Sequence, residues 1–140
     1  MRFWDSSALV PLLVHEKESE LCAGAYRTDR EILIWTLTKV EVFSALCRRM
    51  RDGTLDDQTF EAARNRMNDL FETVYEVAAV DRVKERALRL LRVHPIRAAD
   101  ALQLAAVLVA TQEKVTRLPV MCFDDRLTES AKLEGFEVNP

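Results

Sequence analysis

The stretch RFWDSSALVPLLV, residues 2–14, changes character at Asp5. RFW is a short apolar run of the size of a buried strand, and SSALVPLLV behind it reads as a helix, with Pro11 soon after its first turn. The same order recurs towards the other end of the chain. There LPVMCF (118–123) reads as a strand ending at Asp124, and DRLTESAKLEG (125–135) as a helix closed by Gly135. Between these two units, strand and helix patterns alternate. ESELCAGAYRT (18–28) is helical, and EILIW (31–35), rich in β-branched and aromatic residues, is a buried strand. TKVEVFSALCRRMRDG (38–53) is a helix stopped by Gly53, LDDQTFEAARNRMNDLF (55–71) is a further helix, and YEVAAV (75–80) is a strand. DRVKERALRLLRVH (81–94) is amphipathic, with Val83, Ala87, Leu90 and Leu91 on one side and Pro95 as its stop. RAADALQLAAVLVA (97–110) is a helix that is apolar on nearly every side, and FEV (136–138) reads as a last short strand. The alternation predicts an α/β fold with a mostly parallel central sheet flanked by helices, as a single domain over residues 1–140.

The bulk numbers agree with that class. A chain of 140 residues, 49% hydrophobic and 31% charged with 3 Gly and 4 Pro, excludes disorder and low complexity and suits a helix-rich globule. A net charge of −3 argues against holding nucleic acid by a bulk positive field, although a local basic groove stays open. Fifteen of the 20 basic residues are arginine, a bias that suits bidentate contacts to phosphate or carboxylate and that GC-rich coding also produces. Cys22, Cys47 and Cys122 have no metal-ligand spacing and sit in apolar contexts, so buried thiols are expected. His15 and His94 lie apart in charged surroundings and read as surface residues, with no nucleophilic catalysis implied. MRFWDSSALV lacks a signal-peptide pattern and no run of 18 apolar residues occurs, which predicts a cytoplasmic protein away from membranes.

Chemistry is suggested by four carboxylates. In a parallel α/β sheet ligands bind outside the carboxyl ends of the strands, where Asp5 and Asp124 fall. Asp100 and Gln103 are the polar interruptions of the apolar helix after Arg97, and Asp100 shares a stripe with Leu104 and Val107, so it is expected to face packed protein. A carboxylate there needs backbone donors, a cation or a metal ion, because burying it unpaired is costly. Glu41 shares a helix face with Ser44, Ala45 and Arg48, while Phe43, Leu46 and Met50 mark the expected core side.

Each acid alone has a local explanation. Asp5 and Asp124 can be N-caps, Thr38 to Glu41 fits the S/T-x-x-E capping box, and Asp100 can stabilise the first turn of its helix. Their convergence on one sheet edge, flanked by Trp4, Ala98, Ala99, Ala101 and Phe123, favours a shared role. Clustered carboxylates raise one another's pKa unless a cation holds them. With no His or Cys ligand in reach, hard oxygen donors select Mg²⁺ or Mn²⁺, and such ions complete their shells with water and substrate phosphate. Phosphodiester chemistry follows.

Taken in order, FWDSSALVPLLV, TKVEVFSALCRRMRDGTL, RAADALQLAAVLVA and CFDDRLTESAKLEGFEV resemble the motifs of the PIN-domain family, and most closely the VapC-type toxins of bacterial toxin–antitoxin pairs. The resemblance implies that Asp5, Glu41, Asp100 and Asp124 form an acidic Mg²⁺ site, with Mn²⁺ as a possible substitute and Ser6 as a hydrogen-bonding neighbour. It also implies endonucleolytic cleavage of RNA by a metal-activated water, a homodimer, and an antitoxin partner that covers the cleft. Many relatives carry Thr or Ser two positions before the last Asp, where this chain has Cys122, and Asp125 offers a second carboxylate beside Asp124. Two other readings compete with it. A catalytically silent PIN-like module that binds RNA or a partner is disfavoured by the presence of all four acids. A receiver- or phosphatase-type phosphate-transfer domain would want Asp where Ser7 stands.

Overall fold

Apolar runs bounded by acids and glycines set the element boundaries. The computed structural model describes residues 1–140, apart from the side chain of Arg117. Strand β1 (Arg2–Trp4) leads into α1 (Ser6–Leu13) and α2 (Ser19–Thr28); β2 (Ile32–Trp35) is followed by α3 (Thr38–Arg51) and α4 (Asp57–Phe71). Then come β3 (Tyr75–Val77), α5 (Val80–Val93), α6 (Ala98–Thr111), a 3₁₀ turn at Val115–Arg117, β4 (Val120–Met121) and α7 (Asp125–Leu133). The four strands form one sheet in the order β3-β2-β1-β4, with every pairing parallel. An α/β fold on a parallel sheet is therefore what the sequence encodes.

Successive side chains of a strand point to opposite faces, and β1 uses both. Phe3 joins one core with Trp35, Val77 and the inner faces of α5, α6 and α7. Trp4 joins the other with Ile32, Ile34, Met121 and helices α1 to α4. Helices on both faces explain why the strands read as near-continuous apolar runs. They also explain α6, which buries Leu104, Ala105, Ala106, Val107 and Leu108 almost completely. Each leucine or valine so buried contributes roughly 1.5–3 kcal/mol.

The chain leaves β1 toward β2 on one side, whereas β4 lies on the other side of β1 and its continuation bridges outward from Val120 to Val138. The carboxyl ends of β1 and β4 therefore flank the point where the winding reverses, the standard place for a ligand crevice. No single helix among the described residues is long and apolar enough to cross a membrane.

Several expectations need correction. The expected strand 136–138 is reduced to the single parallel bridge of Val138 to Val120. On α3 the core face is Val42, Ala45 and Leu46, while Phe43 and Met50 are 38% and 39% exposed. The reason is the packing of α3 between α1 and α4, which rotates the buried stripe by one residue and leaves Phe43 at the edge against Phe60, ring centroids 6.1 Å apart. His94 is buried, its Nε2 2.6 Å from Glu134 Oε1 at the end of α7, and that partner is what lets the imidazole leave the surface. Cys22 and Cys122 are buried as expected, but Cys47 is half-buried. Gly53 and Gly135 do close their helices, both in left-handed backbone (φ +82° and +98°).

Candidate active site

Asp5 follows β1 directly and caps α1, its extended backbone (φ −74°, ψ 158°) turning the carboxylate back onto the helix end. Its Oδ2 accepts from the Ser7 N–H at 2.9 Å and the Ser7 hydroxyl at 2.5 Å. Its own N–H donates to the Met121 carbonyl at 3.0 Å, tying it to β4. Burial pushes the Asp5 carboxyl above its ordinary pKa; the Ser7 and Ser6 donors oppose that push, and the charge of Asp124 adds to it. The Ser7 hydroxyl also accepts from the Phe123 N–H at 2.8 Å. One side chain thus clips the first turn of α1 to the segment after β4. Cys122 Sγ lies 3.8 Å from Asp5 Oδ2, and burial followed by that negative neighbour pushes its thiol up to about 12. It is a thiol and not a thiolate, so it offers no nucleophile.

Glu41 stands in the first turn of α3, half-buried, and its Oε2 accepts from Gln103 Nε2 at 2.7 Å. Gln103 is 1% exposed, and its amide also donates to Thr38 Oγ1 at 3.1 Å. The capping box expected from Thr38 to Glu41 is absent. The cap position is Leu37, without a side-chain cap, and Thr38 is a helical residue whose hydroxyl is spent on Gln103. Burial raises the Glu41 carboxyl; the Gln103 and Ser6 side chains oppose this, and the charges of Asp5 and Asp100 reinforce it.

A reach-back bond of that type does occur on α6, where Asp100 Oδ2 accepts from the Arg97 N–H at 3.1 Å. Asp100 does not face packed protein as its stripe suggested. It is half-buried and lines the cleft, because α6 meets the core only from Ala101 onward. Asp124 caps α7, Oδ1 accepting from the Leu127 N–H at 2.8 Å, and both it and Asp125 are exposed at the cleft.

Asp5, Ser6, Glu41, Asp100 and Asp124 therefore line one open cleft of about 1000 Å³ at the switch point of the sheet. Among the described residues no three acids, histidines or cysteines stand close enough to hold one ion in this side-chain arrangement. The donor chemistry still fits a hard cation: the acids that line the cleft offer only oxygen, and burial first, with the neighbouring acids adding to it, raises Asp5 and Glu41. Sequence reasoning missed Ser7, Thr38 and Gln103. Gln103 had left a signal, since an uncharged polar residue in the middle of an apolar helix must find a partner.

The family model described as PIN domain matches residues 2–133. The chain belongs to the PIN-domain family. This PIN domain is 30% identical over 138 residues to proteins named Ribonuclease VapC45 and Ribonuclease VapC49, each from a strain of Mycobacterium tuberculosis, covering 99% of this chain and 94% of each relative. Among solved structures it resembles PAE2754 from Pyrobaculum aerophilum, with a TM-score of 0.64 at 22% identity over 99% of this chain and 83% of that one. It also resembles FitAcB from Neisseria gonorrhoeae, with a TM-score of 0.65 at 15% identity over 99% and 96% of the two chains. At those identities the two structures speak for the fold alone.

Proposed function

We propose that this PIN domain is a Mg²⁺-dependent endoribonuclease, the toxin component of a VapC-like toxin–antitoxin pair. The observation that carries the reading is the lining of one switch-point cleft by Asp5, Glu41, Asp100 and Asp124, in a chain whose full-length relatives are named ribonucleases. These four residues would hold Mg²⁺, or Mn²⁺ in its place, with Asp125 beside the last of them. When bound, such an ion supplies a more acidic water and offsets charge on a phosphodiester. The protein's own contribution is orientation: Ser7 fixes the Asp5 carboxylate, Gln103 fixes that of Glu41, and the Arg97 N–H fixes that of Asp100. Residues 1–140 act as one domain in this reading, in the cytoplasm and as a homodimer. A cognate antitoxin closes the acidic cleft with a basic side chain, for which charge-assisted bonds to carboxylates are strong.

The test is RNA cleavage by the chain purified free of any antitoxin. Cleavage with Mg²⁺, abolished by EDTA and restored by added Mg²⁺, is expected. Cleavage that persists in rigorously metal-free protein removes the metal mechanism, and binding of RNA without any turnover puts the silent RNA-binding module in its place.

A further inference from the structure

The acids of the cleft share it with arginines, and the two sets do not pair. Arg48, Arg49, Arg97 and Arg126 line the cleft without a lysine among its lining residues. Arg49 is bonded to Glu16. Arg48, Arg97 and Arg126 are exposed and make no ion pair among the described residues, although each shares an element with a cleft carboxylate. Arg48 lies seven residues, two helical turns, beyond Glu41 on α3 and so on the same face. Arg97 precedes Asp100 by three residues at the start of α6, and Arg126 follows Asp124 by two on α7.

The acids are instead held by the framework. Every one of those acids accepts a bond from a neutral donor: Glu41 from the Gln103 amide, Asp100 from the Arg97 N–H and Asp124 from the Leu127 N–H. The three guanidinium groups make no ion pair with them among the described residues. An arginine fork is matched to phosphate oxygens, and three such forks arrive from three different elements around one acidic floor.

We propose that Arg48, Arg97 and Arg126 form a rim that binds the RNA phosphates on either side of the one being cut. This rests on the ribonuclease reading and extends it to substrate contact. A single strand carries its charges at regular intervals, so a rim on several sides of the floor can hold the flanking phosphates while the scissile one reaches the carboxylates. The same arrangement accounts for nucleic-acid binding by a chain whose net charge is −3, because the positive charge is local.

The experiment is fluorescence anisotropy of a labelled single-stranded RNA in EDTA, which prevents cleavage, titrated over a range of KCl concentrations. Each phosphate contact contributes about −0.7 to the slope of log K against log salt for a single strand. Arg48→Ala, Arg97→Ala and Arg126→Ala are each expected to flatten the slope by about that much, and the triple variant by about 2. The corresponding Arg→Lys variants restore the slope. Arg89→Ala and Arg92→Ala, exposed on α5 and outside the cleft, control for total charge and are expected to leave it unchanged. A triple variant with the unaltered slope, or with no greater change than the α5 controls, overturns the rim, whether or not the arginines serve an acidic protein partner instead. If the unaltered chain cleaves RNA while that happens, the ribonuclease reading stands and the rim alone falls. An unaltered chain that neither binds nor cleaves RNA ends both.

Discussion

Half-buried Glu41 is held at one carboxylate oxygen by the amide of buried Gln103, which also donates to buried Thr38, so α3 and α6 are joined there. Glu41→Gln keeps the shape but removes the charge a hard cation requires. Since no cap is lost, the variant is expected to fold with near-normal stability and to cleave RNA at a severely reduced rate. Normal cleavage by it takes Glu41 off the site. Gln103→Leu should cost about 1–3 kcal/mol in chemical denaturation, by leaving Thr38 and Glu41 without their partner, and slow cleavage roughly 10–100-fold. Thr38→Ala belongs with it and not with helix capping, so it should disturb catalysis as well as stability. Asp100→Asn preserves an oxygen for the Arg97 N–H, so the fold should survive while activity is lost; a variant that cleaves normally but melts lower would show Asp100 to be a helix-start residue only. At this scale the sequence pointed to the acids that line the cleft but not to what holds them. Gln103 and Thr38 are 65 positions apart and only tertiary packing makes them neighbours.

Elements carry the next level of information, and here local chemistry was most legible where strand, acid and helix follow one another. Both Asp5 and Asp124 are N-caps and cleft residues at once, so the local and the functional explanations of them were never exclusive. What local pattern could not supply was the phase of α3. Phe43 and Met50 look like core residues by hydropathy, but which stripe is buried depends on where α1 and α4 dock. The expected strand at 136–138 is likewise decided by tertiary placement, which leaves only the bridge of Val138 to Val120. In its place the Asn139 side chain accepts the Cys122 N–H at 2.8 Å and donates to the Cys122 carbonyl at 2.5 Å, standing in for a strand neighbour. Ser7 is the other tie on this segment. Ser7→Ala strips the Phe123 N–H and Asp5 of their shared partner, and should lower stability by about 1–3 kcal/mol in urea melts and slow cleavage. Cleavage at the original rate by a destabilised Ser7→Ala chain would confine Ser7 to structure.

For the whole molecule the raised carboxyls of Asp5 and Glu41 become a statement about pH. Unfolded, such groups titrate near 4. Folded, burial above all moves both upward, so the folded chain binds more protons between the two values. Their contribution to stability is then full below about pH 4 and is lost as pH rises through the folded values. The exposed Asp52 and Asp56, lowered by bonds from Thr54 and Thr59, act in the opposite sense as pH falls. Melting in EDTA should therefore be compared with that of the Asp5→Asn, Glu41→Gln double variant, whose relative gain in Tm is expected to grow from pH 4 towards neutrality. A gain that does not change with pH removes the strain from these two acids. Mg²⁺ at neutral pH should raise the Tm of the unaltered chain, by an amount equivalent to about 2.7 kcal/mol at 100 times its Kd, and should leave the double variant nearly unmoved.

The strand order β3-β2-β1-β4 has a consequence for how such an activity comes into being during synthesis. The central strand is the first to leave the ribosome and its second neighbour is the last. Until Val120 and Met121 pair with Phe3 and Trp4, one edge of β1 is open, the Asp5 N–H lacks the Met121 carbonyl, and Ser7 has no Phe123 to receive. A nascent chain can already carry Asp5, Glu41 and Asp100 and still have no cleft. If the protein does cut RNA, it is harmless to the message and the ribosome that are making it until β4 closes the sheet.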